Sequence, residues 1–363
     1  PAATKPLLYT EGGVLENGGP PCAYHACAGR SRMFLIPADD RTLVWYTKEK
    51  APGYAFEWSD SLTVRIEADG DNTALAFDDD KLYVFKERAV YAVSGPGANS
   101  LGQGNYNDPY RLPGDIGCTD RASVLVTPAG VVFKSAKGFY LLGRGYIGAP
   151  VEQYNSYTVV AAVLEKDQHR ALFFLSGHQP ALVWDYETDQ WATYTNHDAV
   201  SASTWQGRVT WLDSDGRAHR RDDEYLDDGK AYGLKLGLGW ITMAGALGWQ
   251  RFRRVGLLCE WKSAHTLMLR VYYRRGEVPE DDGGVVGIDD TGIEVVRYEI
   301  PLEATTAVGG HLMRARLPHQ KVTAIRLEVE DTEPTGEDYS ISAIILDVGM
   351  RPGLAKLPAR QTA

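Results

Sequence analysis

Leu82-Tyr-Val-Phe85-Lys86, the charged step Glu87-Arg88, then Ala89-Val-Tyr91-Ala-Val93 is the stretch that decides how this chain reads. Val, Tyr and Phe at this density favour strands, and a short polar step between two such runs marks a hairpin. Outward from it the phrase returns. Val131-Val-Phe133-Lys134 followed by Phe139-Tyr140-Leu-Leu142 repeats it almost residue for residue. Looser copies run from Met33-Phe34-Leu35 to Leu43-Val-Trp45, from Ala171-Leu-Phe-Phe174 to Leu182-Val-Trp184, and from Val209-Thr-Trp211 to Gly216-Arg-Ala218. The anchoring aromatics, Phe34, Phe85, Phe133, Phe174 and Trp211, are 51, 48, 41 and 37 residues apart. Sheet-sized repeats at roughly 40–50 residues are the spacing of propeller blades. The interval shrinks along the chain and the phrase stops near Asp222, so it predicts one irregular propeller and a different second domain.

At 363 residues the chain exceeds what one core usually serves. Its hydrophobic content of 44%, with 38 Gly, 20 Tyr and 9 Trp and few Ala/Leu/Glu/Lys helical stretches, predicts an all-β protein with many tight turns. The organisation expected is an irregular Gly/Pro-rich segment over 1–30, a propeller-like domain over 31–229, a β-sandwich over 230–349 and an extended arm over 350–363. The acidic stretch Asp222 to Gly229 marks the domain boundary. Beyond it, Thr266-Leu-Met-Leu-Arg-Val-Tyr-Tyr273, His311-Leu-Met-Arg-Ala-Arg-Leu317 and Thr323-Ala-Ile-Arg-Leu-Glu-Val329 alternate with period two, as sandwich strands do. The long loop Pro96 to Gly117 is expected to reach a neighbour or cap an opening. The first residue is Pro1 rather than Met, which reads as a processed chain or a stretch of a longer one.

A net charge of −10 disfavours general affinity for nucleic-acid backbone or anionic lipid. Arg251-Phe-Arg253-Arg254 is the one candidate basic patch, although such alternation more often marks the wet face of a strand. Cys22, Cys27, Cys118 and Cys259 do not form a disulfide framework; His25 between Cys22 and Cys27 tempts a metal reading, but buried free thiols fit better. Gly143-Arg-Gly145-Tyr-Ile-Gly148 matches the dinucleotide fingerprint as a string and lacks its strand-to-helix context, so it reads as a blade-linking loop. The acidic pairs Asp78-Asp79-Asp80, Asp222-Asp223, Asp227-Asp228, Asp281-Asp282 and Asp289-Asp290 fit no calcium loop. Asp213-Ser-Asp215-Gly216 comes nearest and is explained as a hairpin tip. Histidines 25, 169, 178, 197, 219, 265, 311 and 319 are scattered and read as surface residues. No nucleophile elbow, zinc-protease helix or P-loop occurs. No residue is therefore expected to be catalytic, cofactor-binding or metal-ligating, and no cofactor is expected.

Gly117-Cys118-Thr-Asp-Arg-Ala-Ser123, Pro128-Ala-Gly130, Phe133-Lys134-Ser135 and Gly138-Phe-Tyr140 together resemble the tail tubular (nozzle) proteins of short-tailed bacteriophages, the podovirus tail hub family. Ile147-Gly-Ala-Pro-Val-Glu152, Trp205-Gln-Gly-Arg208, Asp227-Asp-Gly229, Gly248-Trp-Gln-Arg251 and Ile341-Ser-Ala-Ile-Ile-Leu-Asp-Val-Gly349 follow in the same order. The resemblance implies a structural, non-enzymatic virion protein made in the host bacterial cytoplasm. It implies a ring, hexameric in that family, that conducts DNA during ejection without specific binding. Adaptor or portal-proximal tail proteins and tail fibres are the implied neighbours, and no lipid membrane is bound. An acidic lumen suits that task, because a wall that does not hold phosphate lets DNA slide. Two alternatives stay open: a propeller-type glycan-cleaving depolymerase, and a carbohydrate-binding adhesin using Tyr and Trp to stack on sugars.

Overall fold

A computed structural model describes residues 8–9, 15–16 and 20–350, apart from 51, 53–55, 100, 223–225, 228, 244–249, 262, 275–286, 289–293, 304–309, 319–320 and 335–338. The chain divides into two compact units, Pro1–Asp222 and Asp223–Ala363. The fold is all-β, a β-propeller followed by a β-sandwich.

The first unit contains five successive antiparallel meanders. Four have four strands each: Ala23–Gly29 to Thr63–Arg65, Asn72–Asp78 to Tyr110–Arg111, Leu125–Thr127 to Gly145–Tyr146, and Val159–Glu165 to Gln190–Tyr194. The fifth has three, Ser201–Trp205, Arg208–Leu212 and Ala218–Arg220. Each repeated phrase is the hairpin of a sheet's second and third strands. Phe34, Phe85, Phe133, Phe174 and Trp211 all lie on second strands and are buried to 0%, 0%, 3%, 0% and 7% exposure.

Those aromatics pack between sheets rather than within one. One core cluster joins Phe34, Val44 and Tyr46 of the first sheet to Leu75, Val84 and Tyr91 of the second. The next joins Ala74 and Phe85 to Val131 and Phe133, with the Phe133 ring 4.9 Å from that of Phe85. Phe139 with Phe173, and Phe174 with Trp211, continue the series. A strand buried on both faces reads as an unbroken apolar run, and Arg170–Leu175 and Val90–Val93 are such runs.

The opening strands of successive sheets pack side by side around a common axis. Four of the five are rich in small side chains: Ala23, Ala26, Ala28 and Gly29, then Ala74 and Ala76, Ala161 and Ala162, and Ser201, Ala202 and Ser203; Leu125–Thr127 is the exception. A Cβ on Gly29 would stand 2.1 Å from the Phe77 ring. Residues 1–30 are thus not wholly irregular, because Ala23–Gly29 forms the first sheet's axial strand. Its small residues carry little β signal. The segment Gly143 to Gly148 likewise contains an outer strand, Gly145–Tyr146, as well as a link. The loop after Pro96 folds back on the first sheet: Arg32 donates to the carbonyls of Pro96 (2.9 Å) and Ala98, and Tyr106 packs on Tyr46 at 4.9 Å.

In the second unit one sheet orders Lys235–Gly237, Ala324–Asp331, His265–Arg274, Glu294–Leu302 and Gly287–Ile288. The other pairs Gln250–Trp261 with His311–Arg316, Lys321–Val322 and Tyr339–Met350. Leu267, Leu269, Val271 and Tyr273 face the shared core with Val255, Leu257, Ile325 and Leu327. The strict alternation along His265–Arg274 is the half-buried pattern that period two predicts. Asp281-Asp282, Asp289-Asp290, His319 and the arm beyond Met350 lie outside the described residues.

Candidate functional site

The propeller axis is where a channel site would be built, and its chemistry follows from five short sequences. Ala23–Gly29, Asn72–Asp78, Leu125–Thr127, Val159–Glu165 and Ser201–Trp205 carry two carboxylates, Asp78 and Glu165, each at the outgoing end of its strand. Glu165 is paired with Arg221 at 2.9 Å, and the Arg221 guanidinium also lies 5.0 Å over the Tyr194 ring. Glycoside hydrolysis needs two carboxylates facing one another across the scissile bond. Of the two on these strands, Glu165 is already committed to its ion pair with Arg221.

The polar groups near the axis instead hold neighbouring sheets together. His25 accepts the Leu75 backbone N–H at Nδ1 (3.2 Å), which joins the first two sheets. Burial, with the Arg121 charge nearby, pushes the His25 pKa down to about 4. A ring that accepts at Nδ1 must be neutral there, with its proton on Nε2. Arg121 donates to the Tyr24 carbonyl (2.6 Å) and lies 4.3 Å over the Tyr24 ring, whose other cationic neighbour is Arg41 at 4.9 Å.

The phrase Gly117–Ser123 forms a compact lead-in knot to the third sheet. Asp120 Oδ2 accepts from Lys134 Nζ (2.9 Å) and from the backbone N–H of Val159 (3.0 Å), linking the third sheet to the fourth. Ser123 Oγ accepts the Lys134 N–H at 2.8 Å. Cys118 N–H donates to the Lys86 carbonyl at 2.8 Å, and Gly117 has no room for a side chain: a Cβ would sit 2.0 Å from that same carbonyl. Lys86, fully buried at the position matching Lys134, donates to the Ile66 carbonyl at 2.9 Å and to that of Gly70. Burial lowers its pKa.

The four cysteines are free thiols. Burial drives Cys27 and Cys118 up to about 12 and Cys259 up to about 11, so none of the three is a thiolate near neutrality. Among the described residues no three His, Cys, Asp or Glu side chains converge as a metal site. No helix of the described residues is long and apolar enough to cross a membrane.

Of the described histidines only His169 and His178 are exposed, and two depart most from the sequence expectation that they lie at the surface. His25 is one. The other is His265, 3% exposed, with Nδ1 3.1 Å from Asp331 Oδ2, Nε2 3.1 Å from Ser263 Oγ, and its ring 4.8 Å from Tyr339's. Sequence spacing gives no hint of it, since Asp331 is 66 residues away. The atom order is that of a hydrolytic triad. Here, however, serine and histidine are two residues apart where the chain enters strand His265–Arg274 from the other sheet, and Asp331 Oδ1 accepts the Glu333 N–H (3.2 Å). The geometry is that of a clamp between that entry and the Ala324–Asp331 strand.

On the third sheet, Lys137, Tyr140, Tyr146, Glu152 and Asn155 line an open depression of about 460 Å3. Its Tyr140 and Tyr146 rings are 5.2 Å apart, and Tyr146 is 41% exposed, the kind of surface a sugar-binding reading would use.

No family model matches the chain, and no curated protein matches it. Among solved structures it is similar to PorZ, a surface component of the type-IX secretion system of Porphyromonas gingivalis, at 10% identity and a TM-score of 0.36. That alignment covers 55% of this chain and 26% of PorZ, so the chain spans about a quarter of that protein's length. An exo-β-1,3-galactanase from Phanerochaete chrysosporium aligns at 9% identity and a TM-score of 0.26, over 87% of this chain and 78% of the enzyme. A glycoside hydrolase family 43 arabinoxylan arabinofuranohydrolase from Bacillus subtilis aligns at 9% identity and a TM-score of 0.23, over 89% and 94%. Likeness at this level assigns neither a family nor an activity.

Proposed function

We propose that this chain is a non-enzymatic structural subunit of a phage tail, a nozzle-type protein that assembles into a ring and conducts DNA. One observation carries the scaffold reading. Of the two carboxylates on the axial strands Glu165 is ion-paired with Arg221, and Arg121 and Asp120 beside them are tied to backbone or rings of adjacent sheets. A catalytic channel would need uncommitted groups aimed at a substrate. The nozzle assignment adds the resemblance of Gly117–Tyr140 and the phrases after it, and the acidic net charge of −10 suits a lumen that does not retain DNA.

Mass photometry and negative-stain microscopy of the purified chain test the proposal. A ring and no release of reducing sugar from capsular polysaccharides is the expected result. A monomer that hydrolyses such a glycan would overturn it in favour of the depolymerase reading.

A further inference from the structure

The stretch Arg251-Phe-Arg253-Arg254 acquires a partner that sequence spacing does not reveal. In the second sandwich sheet, strand Gln250–Trp261 pairs with His311–Arg316 so that Arg254 stands directly opposite Arg316 and Gly256 opposite Arg314. Phe252 is buried in the core, while Arg251, Arg253, Arg254, Arg314 and Arg316 are all exposed. A register shift between Phe252 and Arg254 lets both Arg253 and Arg254 reach the outside. Arg251 and Arg253 both adjoin Gly349, where a Cβ would lie 3.6 Å from Arg251 Cβ and 3.9 Å from Arg253 Nε.

None of the five guanidiniums has an ion-pair or side-chain hydrogen-bond partner among the described residues. Asp347 is opposite Arg254 on the other flanking strand without closing an ion pair, and Glu260 lies at the strand's far end. Like charges directly opposite on antiparallel strands destabilise a sheet. A chain with a net charge of −10 has nonetheless gathered on one face five arginines that have no ion-pair partner among the described residues. Next to them runs an apolar strip. Leu312 is 40% exposed and Ile345 45%, and they close over Gly256, whose Cβ would meet them at 3.1 and 3.4 Å.

We infer that this face docks the acidic surface of a second copy of the same chain, and that the contact is head-to-tail. The inference rests on the assembly reading above and names the surface that would join neighbouring subunits. Arginine beside exposed aliphatic side chains is interface chemistry: arginine is enriched at protein contacts and lysine is depleted. Single-stranded nucleic acid would call for aromatic platforms, and this face has none among its described outward residues. Guanidinium forks match carboxylates, and the chain's excess charge consists of carboxylates. An arginine patch cannot sit on a two-fold axis without setting like charges together, and the ring of the assembly reading requires a heterologous contact. Heterologous contacts close into rings or run on as filaments.

Sedimentation velocity and mass photometry test this on the full chain with Arg254→Glu/Arg316→Glu, beside the matched control Lys137→Glu/Lys166→Glu on exposed propeller positions. Self-association should weaken about tenfold or more when salt rises from about 50 to about 500 mM, because screening acts on exposed charge. It should fall by at least about tenfold in the arginine variant and change little in the control. The arginine variant should keep about the wild-type melting temperature, since one exposed like-charge pair replaces another. Rings that persist in the arginine variant would overturn the inference and leave the assembly reading standing. A wild type that stays monomeric at low salt, or forms a symmetric dimer and stops, would also overturn it. So would duplex DNA, used as an anisotropy probe, binding the wild type and not the arginine variant, because phosphate would then be the occupant.

Discussion

Removing one carboxylate tests whether the sheets are held together as described. Asp120 and Lys134 side chains are only 12% and 5% exposed, and Asp120 also accepts the Val159 N–H on the neighbouring sheet. Asp120→Ala leaves the Lys134 ammonium buried without its counter-ion, a change that costs about 3–5 kcal/mol. In a unit of this size each kcal/mol lowers the melting temperature by about 2–4 °C, so the transition should fall by roughly 10 °C. The double variant Asp120→Ala/Lys134→Met removes both charges and should recover most of the loss, because a buried ion pair is close to neutral against apolar residues of similar volume. Urea denaturation of the four members of the cycle gives the coupling energy. A loss below about 1 kcal/mol for Asp120→Ala, or a double variant as unstable as the two singles added together, would refute the claim that this pair is buried and joins the sheets.

Acid should loosen the propeller through His25. Its folded pKa of about 4 lies below the ordinary imidazole value of 6.5, so between those values the unfolded chain binds more protons and stability rises with pH, then levels off above the higher value. The effect is at most about 3 kcal/mol at the acid end, and His25→Asn, which keeps an acceptor near the Nδ1 position, should flatten that part of the pH–stability curve relative to wild type. Gly117→Ala drives a methyl group into the Lys86 carbonyl and should cost about 1–3 kcal/mol or more, read by thermal unfolding; an unchanged midpoint would refute that contact. Cys118 and Cys259 should resist a thiol-specific reagent at pH 8 until the fold is opened with denaturant, and labelling of the native protein at wild-type speed for an exposed thiol would contradict their burial. A serine-directed fluorophosphonate should leave Ser263 unmodified, while His265→Ala, which strands the buried Asp331, should destabilise the sandwich by about 1–3 kcal/mol in denaturant titrations.

The parts of this fold that could be read from sequence are those where burial imposes a pattern. Val131–Ser135 and Arg170–Leu175 are covered on both faces and so became apolar runs with an aromatic at a fixed place. His265–Arg274 is covered on one face and alternates. The axial strands were invisible for the opposite reason: Ala23–Gly29 and Ser201–Trp205 contain no fully buried residue and are rich in Ala, Gly, Ser and Cys, which carry little strand preference. The polar staples were hidden because their partners are remote, Arg121 from Tyr24 by 97 residues and Asp120 from Val159 by 39. The run Arg251–Arg254 was conspicuous, but its meaning depended on a strand register that brings Arg314 and Arg316 beside it.

Because each propeller core lies between two sheets and none lies inside one, the unit behaves as a stack of couplings between neighbours. An interior sheet is held from both sides. The fifth sheet shares a core only with the fourth among the described clusters, and Trp205, Val200 and Leu212 on it are 64%, 51% and 40% exposed. Unfolding should accordingly begin at that end, with amide exchange fastest along Ser201–Arg220 and slowest in the second and third sheets. The last blade is therefore also the region that a neighbouring subunit, by covering it, could stabilise most.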